Sequence, residues 1–204
     1  MLQIFPGNIN SRHIDKAVNI LKEDGVLIIP TDTVYALACS LKSRKAFERI
    51  CSIKKIKPSQ ANFSLAFADF RSLSEYTKPF SREIFKVMKS NLPGPFTFIL
   101  NSSSKVPEIF TSKKKTIGIR IPDNEIVHAL VIELGYPLVV TSLHSEDQIT
   151  DYYSDAEEIE RAYNEKVNLI IDGGYSEMIA STVIDCTGEE PLVIRDGKGE
   201  LNVD

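Results

Sequence analysis

Apolar positions along the chain follow two alternating periodicities. Segments with apolar residues three and four positions apart, which is typical of amphipathic helices, alternate with short apolar runs that are typical of buried strands. The helical spacing predicts helices at 14–21, 46–53, 84–88, 125–134 and 155–165. The short runs predict strands at 26–29, 63–67, 96–100, 116–121, 138–141, 167–171, 182–185 and 192–194. This alternation predicts an α/β fold with a twisted, mixed and partly parallel sheet flanked by helices.

Polar residues at the ends of these segments predict where helices begin and end. Asn10 or Ser11 is expected to cap the first helix and Ser43 the second, because short oxygen-bearing side chains bind free backbone N–H groups at a helix start. Gly25 is a natural stop before the first long strand. We find no internal repeat and no low-complexity linker, and 43% of the residues are hydrophobic. Residues 1–204 are therefore expected to form a single domain.

The strand at 26–29 runs into an unusually polar turn. Pro30 ends the strand, because it cannot donate a hydrogen bond to a neighbouring strand. Thr31, Asp32, Thr33 and Tyr35 then place hydroxyls and a carboxylate at the strand's exit, where open α/β sheets bind ligands. The alternative is a capped turn, in which Thr or Asp begins a short helix that carries Val34, Leu37 and Ala38.

Composition excludes several classes of protein. No apolar run is long enough to span a membrane, and the N-terminus does not have the pattern of a signal peptide. The three cysteines, Cys39, Cys51 and Cys186, have no metal-binding spacing and are interpreted as reduced thiols, so a cytoplasmic location is expected. The three histidines are scattered, and we expect no metal site.

The net charge of −4 conceals a strong asymmetry. Residues 1–120 contain 20 Lys/Arg and 9 Asp/Glu, a net of +11, whereas residues 121–204 contain 4 and 19, a net of −15. One interpretation is a concave basic face that suits a nucleotide or RNA. The other is that the two halves interleave in space and their charges mix.

Two further features bear on phosphate or carboxylate binding. The cluster from Lys54 to Pro58 contains three lysines at the end of a predicted helix, where they either complement the helix dipole or neutralise phosphates. Arg120 lies in an apolar strand and therefore needs an internal partner or a ligand. No phosphate-binding glycine motif of the Walker or dinucleotide type is present.

Taken in order, these strings resemble the signatures of the YrdC/YciO superfamily, whose best-known members are threonylcarbamoyl-adenylate synthases. Residues 30–35 resemble the family's P-T-[DE]-T-x-Y, and 55–58 resemble K-x-R-P. The later matches cover nearly all of the chain: 92–97 (W-P-G-P-x-T), 116–122 (V-G-V-R-x-P), 140–144 (T-S-A-N), 172–174 (D-G-G), 180–185 (P-S-T-V-V-D) and 193–197 (V-L-R-x-G).

The resemblance implies a YrdC-like fold and a reaction that joins L-threonine, bicarbonate and ATP, used with Mg²⁺, for threonylcarbamoyladenosine formation in tRNA. It implies catalytic roles for Lys55 and Lys57. It assigns substrate binding to Thr33, Tyr35, Arg120 and Thr141. It assigns nucleotide binding to Lys55, Lys57, Thr116, Ser142, Ser181 and Arg195.

Two positions depart from the synthase pattern and place the chain nearer the YciO branch. Lys57 replaces an arginine, which loses a planar fork for two phosphate oxygens, and His144 replaces an asparagine. The departures predict weak synthase activity. They also favour an alternative, a non-catalytic paralogue that binds a nucleotide or double-stranded RNA, to which Lys113, Lys114 and Lys115 would contribute.

Overall fold

A computed structural model of the protein describes residues 1–144 and 152–202. The helices are α1 (Ser11–Lys22), α2 (Arg44–Ile53), α3 (Leu73–Tyr76), α4 (Arg82–Asn91), α5 (Glu125–Leu134) and α6 (Ala156–Tyr163). The strands are β1 (Leu2–Gln3), β2 (Leu27–Ile29), β3 (Ala36–Ser40), β4 (Ser64–Ala66), β5 (Phe96–Asn101), β6 (Thr116–Arg120), β7 (Leu138–Ser142), β8 (Leu169–Asp172), β9 (Thr182–Asp185) and β10 (Leu192–Arg195).

Ten strands form one mixed sheet in the order β1-β8-β2-β3-β7-β4-β6-β5-β9-β10. Strand pairs β1–β8, β2–β8, β4–β6 and β5–β9 are parallel, and the remaining neighbours are antiparallel. The predicted α/β class with a partly parallel, mixed sheet is therefore confirmed. No helix within residues 1–144 and 152–202 is both long and apolar enough to cross a membrane.

The core lies on both faces of this sheet. In β2, Leu27 and Ile29 pack with α1 and α5 on one face. Val26 and Ile28 belong to the cluster on the other face, to which α2, α4 and α6 contribute. Successive strand residues point to opposite faces, so a strand buried on both sides reads as an unbroken apolar run. This explains why the segment 26–29 showed no polar alternation.

The caps of two predicted helices are confirmed. The Asn10 side chain accepts a hydrogen bond from the Arg12 amide at the start of α1. The Ser43 side chain accepts one from the Ala46 amide at the start of α2. Both therefore satisfy backbone donors that a helix start leaves unpaired.

The segment after the polar turn differs from the capped-helix interpretation, which is wrong. Residues Ala36–Ser40 form β3, which pairs antiparallel with β2 and with β7. Small side chains such as those of Ala36 and Ala38 have little preference for strands, so long-range pairing decides their conformation. The turn at 31–35 is consequently the loop of a hairpin, closed on itself by a hydrogen bond of 2.7 Å from the Thr31 hydroxyl to the Val34 carbonyl oxygen.

Candidate functional site

A cleft of about 350 Å³ lies along the central strands of the sheet. Residues of β4, β5, β6, β7, β9 and β10 and the end of α2 line it. They include six of the residues singled out in the sequence: Thr116, Arg120, Thr141, Ser142, Ser181 and Arg195. Motifs that are far apart in the chain therefore meet at one cleft, whereas Thr33 and Tyr35 are not in its lining.

Gly118 in β6 keeps the floor of this cleft open. A Cβ atom at this position would lie 2.4 Å from the Ser64 hydroxyl oxygen of β4 and 3.0 Å from the Thr97 Cγ2 atom of β5. Contacts this short exceed what side-chain packing tolerates, so the neighbouring strands require glycine here.

Arg120 is held at the cleft by the polar turn. Its Nη2 atom donates to Asp32 Oδ1 at 2.8 Å and to the Thr33 hydroxyl at 3.1 Å. Both members of the ion pair are almost completely buried, with 5% and 7% of their side chains exposed. Burial lowers the pKa of Arg120, and the charge of Asp32 opposes that effect. None of the described residues accepts a hydrogen bond from Arg120 Nε, so this guanidinium has a donor to spare.

Asp32 is fixed from two other sides. Its Oδ2 atom accepts a hydrogen bond from the Asp123 amide at 3.1 Å. The Lys198 ammonium donates to the Asp32 carbonyl oxygen at 3.0 Å and to Glu177 Oε1 at 3.1 Å. The turn, the loop after β6 and the C-terminal segment therefore converge on one carboxylate residue.

Tyr35, from the same polar turn, makes its hydrogen bonds to the turn that follows β8. Its hydroxyl donates to the Gly174 carbonyl oxygen at 2.6 Å and accepts from the Gly173 amide at 3.2 Å. Burial raises the pKa of Tyr35 to about 12. A Cβ atom on Gly173 would lie 2.6 Å from Pro30 Cγ, so the close approach of the two turns requires glycine. The structure thus directs Tyr35 onto the Asp172-Gly173-Gly174 turn and does not place it in the lining of the cleft; substrate binding by Thr33 and Tyr35 stays a prediction.

Ser181 and Arg195 form a second polar group at the cleft. Arg195 Nη2 donates to the Ser181 carbonyl oxygen at 2.7 Å and to its hydroxyl at 3.3 Å. The Ser181 hydroxyl also hydrogen-bonds the Thr97 hydroxyl, with 2.8 Å between the oxygens. The antiparallel pairing of β9 with β10 brings the two residues together.

The lysines of the cluster after α2 differ in whether they line the cleft. Lys54 lines the cleft, and its Nζ atom donates to the Ser142 carbonyl oxygen at 2.6 Å. Burial lowers the pKa of Lys54 to about 8. Lys55 and Lys57 are exposed and do not line the cleft, so their predicted catalytic roles stay predictions. Lys54 belongs to the lysine cluster that the sequence links to the helix dipole or to phosphates, but the resemblance assigns roles only to Lys55 and Lys57.

His144 lies at the rim of the cleft beyond β7. Its ring packs against that of Tyr152, with 4.9 Å between the ring centroids. Its carbonyl oxygen accepts a hydrogen bond of 3.2 Å from the Tyr163 hydroxyl. Within the described parts of the chain, no group of His, Cys, Asp and Glu side chains is arranged to hold a metal ion.

Comparison with known proteins agrees with this architecture. A family profile for Sua5, YciO and YrdC, described as telomere recombination, matches residues 19–197. The chain belongs to the Sua5/YciO/YrdC family. Of its family relatives, the uncharacterised protein YciO of Escherichia coli K12 is 42% identical over 200 residues, which cover 97% of this chain and 95% of that protein. The crystal structure of E. coli YciO superimposes with a TM-score of 0.92, covering 99% of this chain and 97% of YciO.

More distant members of the family include named enzymes. The threonylcarbamoyl-AMP synthase of Bacillus subtilis is 29% identical over 191 residues, which cover 92% of this chain and 54% of the synthase. The crystal structure of Pyrococcus abyssi Sua5 complexed with L-threonine has a TM-score of 0.87 at 27% identity, covering 96% of this chain and 57% of Sua5. The chain thus spans little more than half the length of these two relatives. It shares their fold and lies nearer YciO in sequence.

Proposed function

We propose that this protein joins L-threonine, bicarbonate and ATP into threonylcarbamoyl-adenylate, which supplies the threonylcarbamoyl group for adenosine modification in tRNA. One observation carries the proposal: the motif residues Thr116, Arg120, Thr141, Ser142, Ser181 and Arg195 meet in one cleft. Family members named threonylcarbamoyl-AMP synthase and the Sua5 relative crystallised with L-threonine support it.

The chemistry needs positioning more than proton transfer. The threonine amine combines with bicarbonate to give a carbamate and water. A carbamate oxygen then attacks the α-phosphorus of ATP, and the bond to the β-phosphate breaks with release of pyrophosphate. Holding the two substrates together and neutralising the leaving group supply most of the catalysis in such reactions.

The two polar groups of the cleft are proposed to bind different substrates. Arg120, whose Nε donor has no partner among the described residues, and Thr141 are proposed to receive the threonine carboxylate. Arg195, Ser181, Ser142 and Thr116 are proposed to receive ATP with its Mg²⁺.

A pyrophosphate-release assay tests this proposal. Release should require ATP, threonine and bicarbonate together, and the variant Arg195→Gln should lower it about tenfold or more, because a charge-assisted hydrogen bond is lost. Lys45→Gln is the matched control, since Lys45 is exposed at the start of α2 and lies outside the cleft. Release that does not depend on threonine would contradict the proposal.

A second candidate is a paralogue that binds a nucleotide but turns it over weakly. The replacement of the family's asparagine by His144 favours it, because a neutral imidazole has one donor and one acceptor where an amide has two donors and a carbonyl acceptor. The double variant Lys57→Arg with His144→Asn should raise threonine-dependent pyrophosphate release if the two departures cause the weakness. ATP binding without any release, in both the wild-type protein and the double variant, would select the paralogue.

A further inference from the structure

The cleft has a clear electrostatic character. Among its described lining residues there are three lysine or arginine side chains, Lys54, Arg120 and Arg195, and no aspartate or glutamate. Arg120 is neutralised by Asp32, which lies next to the cleft and outside its lining. The two remaining cations leave the cleft with an excess of positive charge, which suits an anionic ligand.

Lys54 differs from the two arginines in what it binds. The Nη2 atom of Arg120 contacts a carboxylate and a hydroxyl, and the Nη2 atom of Arg195 makes both of its hydrogen bonds to Ser181. The Lys54 ammonium donates to a main-chain carbonyl oxygen, which carries no full charge. An ammonium group has three N–H donors, so this contact orients Lys54 without exhausting it.

The end of α2 explains why Lys54 faces the cleft. Lys54 is the last residue with helical backbone angles, and Lys55 follows with a φ of +54°, in the left-handed region. The reversal is closed by hydrogen bonds of 3.0 Å from the Lys55 amide to Ser52 and from the Ile56 amide to Cys51. The chain therefore changes direction between two adjacent lysines, and only the first enters the cleft.

When no ligand is bound, the surroundings of Lys54 also disfavour the charged form of its side chain. The lowered pKa arises from burial, which removes water from the ammonium without supplying a carboxylate. A phosphate group placed against it would supply that missing negative charge. The hydrogen bond to Ser142 fixes the ammonium at the exit of β7, beside the serine that the family motif directs towards the nucleotide.

We infer that Lys54 is the cation of the cleft that contacts phosphate. The sequence motif assigns this role to Lys55 and Lys57 instead. This inference rests on the proposed function, because it names the side chain that holds the polyphosphate of ATP there. It also accounts for the substitution of the motif arginine by Lys57, since an exposed residue outside the cleft is not required to grip two phosphate oxygens.

Titration calorimetry with ATP and with inorganic tripolyphosphate tests the inference. Lys54→Gln should weaken the binding of both probes about tenfold or more, because it removes a charged donor. Lys54→Arg keeps the charge and should retain most of the affinity. Lys55→Gln and Lys57→Gln should each change the affinity less than about threefold, and the control Lys45→Gln should not change it.

A second measurement uses the unmodified protein and so does not depend on the folding of any variant. Acetic anhydride labels free amines, and mass spectrometry of peptides measures labelling at each lysine. Saturating ATP should protect Lys54 and leave the labelling of Lys45 unchanged. Equal protection of the two lysines would overturn the inference.

Three calorimetric results would also overturn it: Lys54→Gln binding within twofold of the wild-type protein, losses as large in Lys55→Gln or Lys57→Gln, or a wild-type protein that binds neither probe. Failure of the proposed function has a different signature. Lys54-dependent ATP binding without threonine-dependent pyrophosphate release refutes the synthase proposal and sustains the inference. Pyrophosphate release that is unaffected by Lys54→Gln does the reverse.

Discussion

Burial controls the chemistry of several ionisable residues near the sheet. It raises the pKa of Cys186 to about 12 and raises that of Cys39, so both thiols are protonated and unreactive at neutral pH. It acts in the other direction on Lys54, because the charged form of a lysine is the protonated one. The thiols are therefore core residues, whereas Lys54 is a half-buried cation to which the described residues supply no carboxylate partner.

The lowered pKa of Lys54 predicts how its removal changes stability with pH. Its folded-state pKa of about 8 lies below the ordinary value of 10.5, so the folded state disfavours the ammonium at pH 7. Between pH 8 and 10.5 the folded protein loses this proton before the unfolded chain does, and the penalty disappears. The variant Lys54→Met should be about 1–2 kcal/mol more stable than the wild type at pH 7, and this advantage should shrink towards pH 10.

Urea unfolding of both proteins at pH 7 and pH 10 measures this effect. The comparison with Lys54→Met is necessary because tyrosine and cysteine side chains also titrate above pH 8, and they affect both proteins equally. Lys45→Met is the control and should show no pH-dependent difference from the wild type. A constant difference between Lys54→Met and wild type at all pH values would show that Lys54 acts by packing alone.

At the scale of elements, the end of α2 contains a strained residue. Lys55 has a φ of +54°, a conformation that costs most residues about 1–2 kcal/mol and costs glycine nothing. Glycine also loses more freedom on folding, which offsets part of the gain. Lys55→Gly should therefore raise the free energy of unfolding by about 0.5–1 kcal/mol, measured by urea denaturation.

The matched control for this substitution is Lys57→Gly. Lys57 has a φ of −73°, which any residue adopts, so glycine there brings only the loss of chain freedom and should lower stability slightly. Equal destabilisation of the two variants would show that the left-handed backbone conformation of Lys55 is not strained.

The floor of the cleft gives a second prediction at this scale. Gly118→Ala would force a Cβ atom to within 2.4 Å of the Ser64 hydroxyl oxygen, so β4 and β6 must separate or the Ser64 side chain must turn into the cleft. We expect a loss of about 1–3 kcal/mol of stability by thermal or urea unfolding, together with weaker ATP binding by calorimetry. Gly188→Ala is the control, because nothing lies within 4 Å of its added Cβ atom. Wild-type stability and affinity in Gly118→Ala would refute the packing argument.

These elements also show how far the sequence could be interpreted. Five of the six α-helices in the described residues and most strands were predictable, because burial on one face or on both faces of an element sets its apolar spacing. Helix α3 was missed because its four residues are too few to show a periodicity. Strand β3 was missed, because its pairing with β7 joins residues about a hundred positions apart, such as Leu37 and Thr141. Strand β1 was missed because two residues carry no periodicity.

The site was predictable as a set of motifs but not as a set of contacts. The need of Arg120 for a partner was evident from its apolar strand, yet the identity of that partner, Asp32, depends on a fold that joins residues 88 positions apart. The division of the lysine cluster was not predictable, because one residue's difference in where α2 ends decides which ammonium enters the cleft.

At the scale of the whole molecule, most of the described ion pairs join residues of the same half of the chain, so they leave the charge asymmetry of the sequence in place. Arg44–Glu48, Arg71–Asp69, Lys105–Glu75 and Lys115–Glu108 each join a cation and a carboxylate of the first 120 residues. Among the described residues, no ion pair joins a lysine of that half to a carboxylate of the acidic half. Residues 145–151, which belong to the acidic half, lie outside the described residues.

This distribution predicts polyanion binding that depends on salt. Double-stranded RNA should bind without sequence preference, and affinity should fall steeply as salt rises, because cations on the RNA are released. Replacing Lys113, Lys114 and Lys115 by Glu should weaken RNA binding in a filter-binding titration and leave threonine binding unchanged. Negligible binding at all salt concentrations would eliminate an RNA role.

The buried pair of Arg120 and Asp32 gives the two proposed substrates different sensitivities to ionic strength. The pair is neutral as a unit, and threonine in its zwitterionic form is also neutral, so their encounter involves little long-range attraction for dissolved ions to screen. ATP carries several negative charges towards Lys54 and Arg195, an attraction that dissolved ions do screen. In concentrated salt, the affinity for the proposed nucleotide should therefore fall well before the affinity for the proposed amino acid.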